Sequence, residues 1–87
     1  MYKVYILLCL DNSFYTGHTG NLKLRYRQHN TGNVKTTANK RPVKLVFYEN
    51  HKTKEEAMKR EKQLKGWTRQ KKINLIKYGH PTKFEKK

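Results

Sequence analysis

Residues 4–19, VYILLCLDNSFYTGHT, decide the fold. Val4, Tyr5, Ile6, Leu7 and Leu8 are strand formers, as are Phe14, Tyr15 and Thr16 beyond the turn-forming Asp11, Asn12 and Ser13, so the stretch predicts a β-hairpin. Side chains alternate faces along a strand, so Tyr5 and Tyr15 share a face only where the pairing is centred on a residue. A loop of three or five residues, or an equivalent bulge, achieves that; a two-residue turn at Asp11-Asn12 does not. In the shared-face register two phenols lie with the side-chain-free backbone of Gly17, an arrangement suited to binding. The ordinary alternative is that the tyrosines are buried strand residues, which are common, and that Gly17 ends the second strand.

The whole chain has 87 residues, enough for one domain that buries roughly 60–65% of its unfolded surface. Residues 1–81 are expected to form it, with 82–87, TKFEKK, as a basic disordered tail. Mean hydropathy is −1.09, and no apolar run approaches the ~18–20 residues of a membrane span. The short run from Val4 to Leu10 has no small-residue cleavage site behind it. A soluble, cytoplasmic protein without a signal peptide is expected, monomeric by default. The single cysteine, Cys9, excludes an internal disulfide, fits a reducing compartment and reads as a buried structural thiol. Twenty-one Lys and Arg against six Asp and Glu give a net charge of +15. Residues 1–50 hold eight basic and two acidic side chains, and residues 51–87 hold thirteen and four, so both halves carry the excess. In so small a domain that excess points to a polyanion, and nucleic acid is the expected partner.

After the hairpin, Asn21 or Thr19 as N-cap and Thr31-Gly32 as stop predict a helix from Leu22 to about Asn30. Leu22, Arg25, Tyr26 and His29 form one stripe on it; Leu22 and Tyr26 face the sheet, and Arg25 and His29 ride at the edge of that face. Arg27 and Lys23 point elsewhere. Residues 33–42, NVKTTANKRP, read as a polar connection that is either a solvated loop or one in which Lys35, Lys40 and Arg41 contact phosphates, and Arg27 reads as surface charge or a phosphate contact in the same way. Pro42 opens VKLVFYEN, whose alternation predicts the third strand. Thr53 and Glu56 predict a capping box for a helix running to Gly66, with a thin apolar stripe of Ala57, Met58 and Leu64. Glu61 falls within that stripe, where a carboxylate is costly unless it is paired or binds a cation. Thr68 caps a last helix, Arg69 to about Tyr78, closed by Gly79 and Pro81, with Ile73, Ile76, Leu75 and Trp67 completing the core. The fold class is α+β: a small three-stranded sheet, hairpin plus third strand, flanked by about three helices in the order β-β-α-β-α-α.

Val4-Tyr5-Ile6, Tyr15-Thr16-Gly17, Arg25-x-x-x-His29 and Glu61 within Glu56-Ala57-x-x-x-Glu61 together resemble the GIY-YIG nuclease superfamily, in particular its short stand-alone bacterial members. These are similar to the N-terminal nuclease domain of the bacterial excision-repair endonuclease, and the likeness spans about Tyr2 to Ile76. The first motif keeps only its Tyr, and Thr16 stands where Ile is usual. The resemblance implies a metal-dependent DNA endonuclease or nuclease-like repair protein that hydrolyses phosphodiesters, acting on branched, damaged or duplex DNA, with structured RNA a further substrate class. It implies one divalent cation, Mg²⁺ or Mn²⁺, at Glu61. Tyr5 would be the general base or relay, its pKa lowered by the metal, by Arg25 and by the basic field. Tyr15 would orient phosphate or water, Arg25 clamp the scissile phosphate, His29 relay the proton, and Gly17 admit substrate close to the backbone. Asn74 is the candidate for the Asn that accompanies the metal-binding Glu in many members. The alternative is a non-catalytic basic nucleic-acid-binding module on the same fold. Were Glu61 an unpaired ligand, Glu61→Gln would leave stability unchanged or slightly improved.

Overall fold

The computed structural model describes residues 1–79; the tail expected at 82–87 lies outside them. The strands are β1 (Tyr2–Leu8), β2 (Phe14–Thr19) and β3 (Lys44–His51), and the helices are α1 (Leu22–Asn30), α2 (Lys35–Ala38), α3 (Lys54–Lys65) and α4 (Arg69–Tyr78). The β-β-α-β-α-α order holds, with the four-residue α2 added where a structureless connection was expected. The sheet is antiparallel throughout, in the order β2-β1-β3.

The hairpin register is the one that matters for the site. Tyr5 lies opposite Gly17, Leu7 opposite Tyr15 and Leu8 opposite Phe14, so the pairing is centred on Asp11 with Cys9–Ser13 as the loop. Cys9 N–H donates to the Ser13 carbonyl and Asn12 N–H to the Cys9 carbonyl. Asn12 takes a φ of 70° that Asn tolerates well. Asp11 accepts from the Ser13 backbone and hydroxyl, which closes the turn. Tyr5, Tyr15 and Gly17 therefore share a face.

Each sheet face has its own core. Val4 and Ile6 pack with Ala57, Leu64 and Leu75 under α3 and α4, and Tyr5, Leu7, Cys9 and Val43 pack with Leu22 and Tyr26 under α1. The third strand serves both. A register shift between Ile6 and Leu7 leaves Val46 unpaired, so Leu45 packs beneath α1 while Val46 and Phe47 pack on the opposite side, and the alternation read from the sequence breaks there. The strand begins at Lys44, because side chains of α1 hold the Val43 backbone: Val43 N–H donates to Asn30 Oδ1 at 2.8 Å, and its carbonyl accepts from Asn30 Nδ2 and Tyr26 Oη.

Caps at Asn21, Thr53 and Thr68 each accept a backbone N–H of the first turn. The capping box is half closed, since the Glu56 carboxylate accepts from Lys52 N–H. Met58, expected in the stripe of α3, is 48% exposed, so Ala57 and Leu64 carry the packing with Glu61 between them. On α4, Leu75 and Asn74 are buried, while Ile73 and Ile76 are only partly covered. No described helix is long and apolar enough to cross a membrane.

Candidate active site

The hairpin and α1 assemble three rings. Tyr5 and Tyr15 centroids are 6.3 Å apart, Tyr5 and His29 5.8 Å, and Tyr15 and His29 4.9 Å, the last two edge-to-face. His29 does not ride at the edge: it is fully buried, the only such residue on α1. Leu22 and Tyr26 are too few apolar groups to cover this face, and the imidazole fills it because both of its nitrogens are satisfied. Tyr5 Oη lies 2.9 Å from Nε2, and the buried Thr37 Oγ1 lies 2.8 Å from Nδ1. The Thr37 hydroxyl in turn donates to the Val34 carbonyl. Assigned from that network, Nδ1–H donates to Thr37 and Nε2 accepts the Tyr5 proton. Thr37 carries no signal in the sequence, because residues 33–42 show no periodicity; α2 is what turns it beneath His29.

Gly17 also has an internal reason. A β-carbon there would stand 2.6 Å from Tyr5 Oη and 2.8 Å from its Cζ, so the missing side chain makes room for the phenol.

Burial raises the Tyr5 pKa to about 12, and the nearby Arg25 guanidinium only partly offsets this. The lowering expected for that phenol is thus reversed within the protein itself. The positive field of the chain is spread over solvent, whereas desolvation acts at the hydroxyl. His29 is pushed the other way, to about 4, by burial and then by the charge of Arg25, so the imidazole is neutral at pH 7. Arg25 itself hydrogen-bonds Gln28 Oε1 at 3.2 Å.

Glu61 approaches from the opposite side of edge strand β2. Its Oε2 accepts from Lys65 Nζ at 2.7 Å, and its Oε1 is bonded to His18 Nδ1. His18 follows Gly17 and so projects to the α3 face, a placement that alternation could have shown; its partner 43 residues away could not be read from the sequence. Burial raises the Glu61 pKa, but Lys65 and His18 outweigh it and hold the carboxyl below its usual range. The charge of Glu61 still reaches Tyr5 across the edge strand, as the smallest of the influences on that phenol. Among the described residues no three His, Cys, Asp or Glu side chains converge as a metal cluster.

Of the basic residues expected to meet phosphates, two are engaged within the protein. Arg27 and Lys35 are exposed. Lys40 Nζ lies 4.0 Å from Asp11, and its carbonyl accepts from Leu10 N–H. Arg41 donates to the Ala38 carbonyl and stacks against Gly32. Asn74 is buried and accepts from Gln70.

The three-stranded sheet with paired tyrosines on its hairpin, the histidine and arginine on the first helix and the glutamate on the next long helix all lie within a stretch that matches a nuclease-type domain. The GIY-YIG catalytic domain model matches residues 1–74, and the chain belongs to the GIY-YIG family. It is 49% identical over 75 residues to a UPF0213 protein of Staphylococcus aureus (strain Mu50), covering 85% of this chain and 92% of that protein. Two solution NMR structures are similar. The protein EF2693 from E. faecalis has a TM-score of 0.63 and 34% identity, over 99% of this chain and 93% of that one. The UPF0213 protein BH0048 from Bacillus halodurans has a TM-score of 0.58 and 39% identity, over 88% and 84%.

Proposed function

We propose that this domain is an endonuclease that hydrolyses a phosphodiester bond of DNA with one divalent cation, Mg²⁺ or Mn²⁺, held at Glu61. The observation that carries the reading is the buried Tyr5–His29–Thr37 hydrogen-bonded chain beside Arg25. An isolated packing tyrosine needs no such chain.

The magnitudes limit what that chain does. Burial raises the Tyr5 pKa to about 12 and lowers that of His29 to about 4, and both shifts oppose resting transfer of the phenol proton to the imidazole. Tyr5 therefore works as a relay: it takes the proton of the attacking water as its own moves toward Nε2, with charge separation developing only in the transition state. Thr37 holds the imidazole in the tautomer that leaves Nε2 as acceptor. Arg25 supplies a guanidinium for the charge that develops on the phosphate, and Tyr15, against both rings, orients phosphate or water through its hydroxyl. Arg27, Lys35, Lys40 and Arg41 serve the flanking phosphates.

The donor set at Glu61 fits a hydrated hard cation, since one carboxylate suffices where the ion keeps several waters. When bound, the cation would acidify a water and neutralise the scissile phosphate. Lys65 and His18 already compensate the carboxylate, so Glu61→Gln is not expected to raise stability as it would for an uncompensated ligand.

The test is incubation with supercoiled, branched and single-stranded DNA in Mg²⁺ or Mn²⁺. Wild type should cleave, and Tyr5→Phe and Glu61→Gln should lose about 10²–10⁴-fold. Absence of cleavage on every substrate, with salt-dependent binding retained, would leave the non-catalytic basic module as the function.

A further inference from the structure

Two His–Glu pairs occur among the described residues, and they differ in what the carboxylate has left to offer. At Glu49, Arg60 covers both oxygens: Nε donates to Oε2 at 2.7 Å, where His51 also bonds, and Nη2 reaches Oε1 at 3.4 Å. Both oxygens there face the guanidinium fork of Arg60, and the one that His51 shares already accepts a charged donor. At Glu61 the division is clean, with Lys65 on Oε2 alone and His18 Nδ1 on Oε1 alone. Lys65 fixes the rotation of the carboxylate while leaving Oε1 and an imidazole nitrogen side by side. Both line a cavity of about 340 Å³ with Met58, Lys62 and Lys65. At ~30 Å³ per water this holds a hydrated ion and a phosphate group.

We propose that His18 is a second protein donor for the cation at Glu61, making an N,O pair that favours first-row transition ions over Mg²⁺. This rests on the reading of Glu61 as the metal-binding carboxylate. An imidazole nitrogen adds affinity for transition ions in the order Mn²⁺ < Co²⁺ < Ni²⁺ and adds little for Mg²⁺, which prefers oxygen and keeps its waters. Coordination requires the imidazole to be neutral with its proton on Nε2, so the hydrogen bond to Oε1 is exchanged for two bonds to one ion. Lys65 remains on Oε2 as the partner that holds the carboxylate in its one-oxygen orientation. Lys62 and Lys65, on the rim of the cavity, offer ammonium groups to the phosphate oxygens of a bound strand.

Calorimetric titrations with Mg²⁺, Mn²⁺ and Co²⁺, without DNA, test this on wild type, His18→Gln and Glu61→Gln. His18→Gln should weaken Co²⁺ tenfold or more and Mn²⁺ by less, and change Mg²⁺ by under twofold. Equal losses for all three ions, or none, would make His18 a hydrogen-bond partner only and overturn the proposal while leaving Glu61 as ligand. Mg²⁺ binding unchanged in Glu61→Gln would instead overturn the placement of the cation, and this inference with it. Should His18→Gln fail to fold, proton NMR of the wild type with Co²⁺ decides: a strongly hyperfine-shifted, exchangeable Nε2–H signal of His18 should appear, as for a directly coordinated imidazole, and bound Co²⁺ without that signal would refute the assignment.

Discussion

The two faces of the sheet are built on opposite principles. Beneath α3 and α4 the core is Val4, Ile6, Ala57, Leu64 and Leu75, apolar groups whose contribution scales with area removed from water. Beneath α1 the space between Tyr5 and Thr37 is filled by an imidazole with both nitrogens bonded. The apolar core of the first face supplies stability, and the polar pair on that side, His18 and Glu61, is only part-buried. The second face spends some of that stability to hold a neutral histidine and a protonated phenol side by side, since every buried polar group there must keep its partner.

The largest expected effect separates the faces by stability alone. Leu64 is fully buried, and Leu64→Ala should cost about 2–5 kcal/mol in urea melts while cleavage per folded molecule persists. A loss of specific activity as large as that of Tyr5→Phe would mean that the faces are not separable.

Acid should act chiefly through the α1 face. His29 has a folded pKa near 4 against an ordinary 6.5, so between those values the unfolded chain binds the extra proton. Stability is therefore full above about pH 6.5 and falls by about 3 kcal/mol as pH drops to 4. Glu61 and Asp11, held below the usual carboxylate range, add to the loss only at lower pH. Urea midpoints at pH 7, 5.5 and 4 check this, and His29→Gln should flatten the slope; an unchanged slope would show that another group carries it.

Gly17→Ala sharpens the contrast from the strand itself. The new methyl meets the Tyr5 ring, which must move, at a cost of about 1–3 kcal/mol. Cleavage should fall to the level of Tyr5→Phe, well beyond what the melt accounts for. The smallest effect is on the other face of the same strand: Thr16 Oγ1 is buried without a partner among the described residues, so Thr16→Val should be neutral or stabilising by up to about 1 kcal/mol. A clear destabilisation in the melt would reveal a partner for that hydroxyl.

The sequence alone determined six of the seven elements and reduced the placement of the two tyrosines to a choice between two registers, because alternation and caps are local properties of the chain; the structure chose the register. Asn21, Thr53, Thr68 and Gly79 sit where their side chains or φ require them, and the odd loop at Cys9–Ser13 sets the register. Glu61 was legible as an anomaly, a carboxylate between Ala57 and Leu64, but what compensates it was only half legible: Lys65 is a helical neighbour, whereas His18 comes from another element. The tertiary structure alone decided that His29 is buried, that α2 brings Thr37 beneath it, and that the bulge at Val46 divides β3 between two cores. It also decided the sign of the Tyr5 shift. Desolvation at one hydroxyl depends on what packs around it, and that is set by contacts between residues far apart in the chain, which no periodicity encodes.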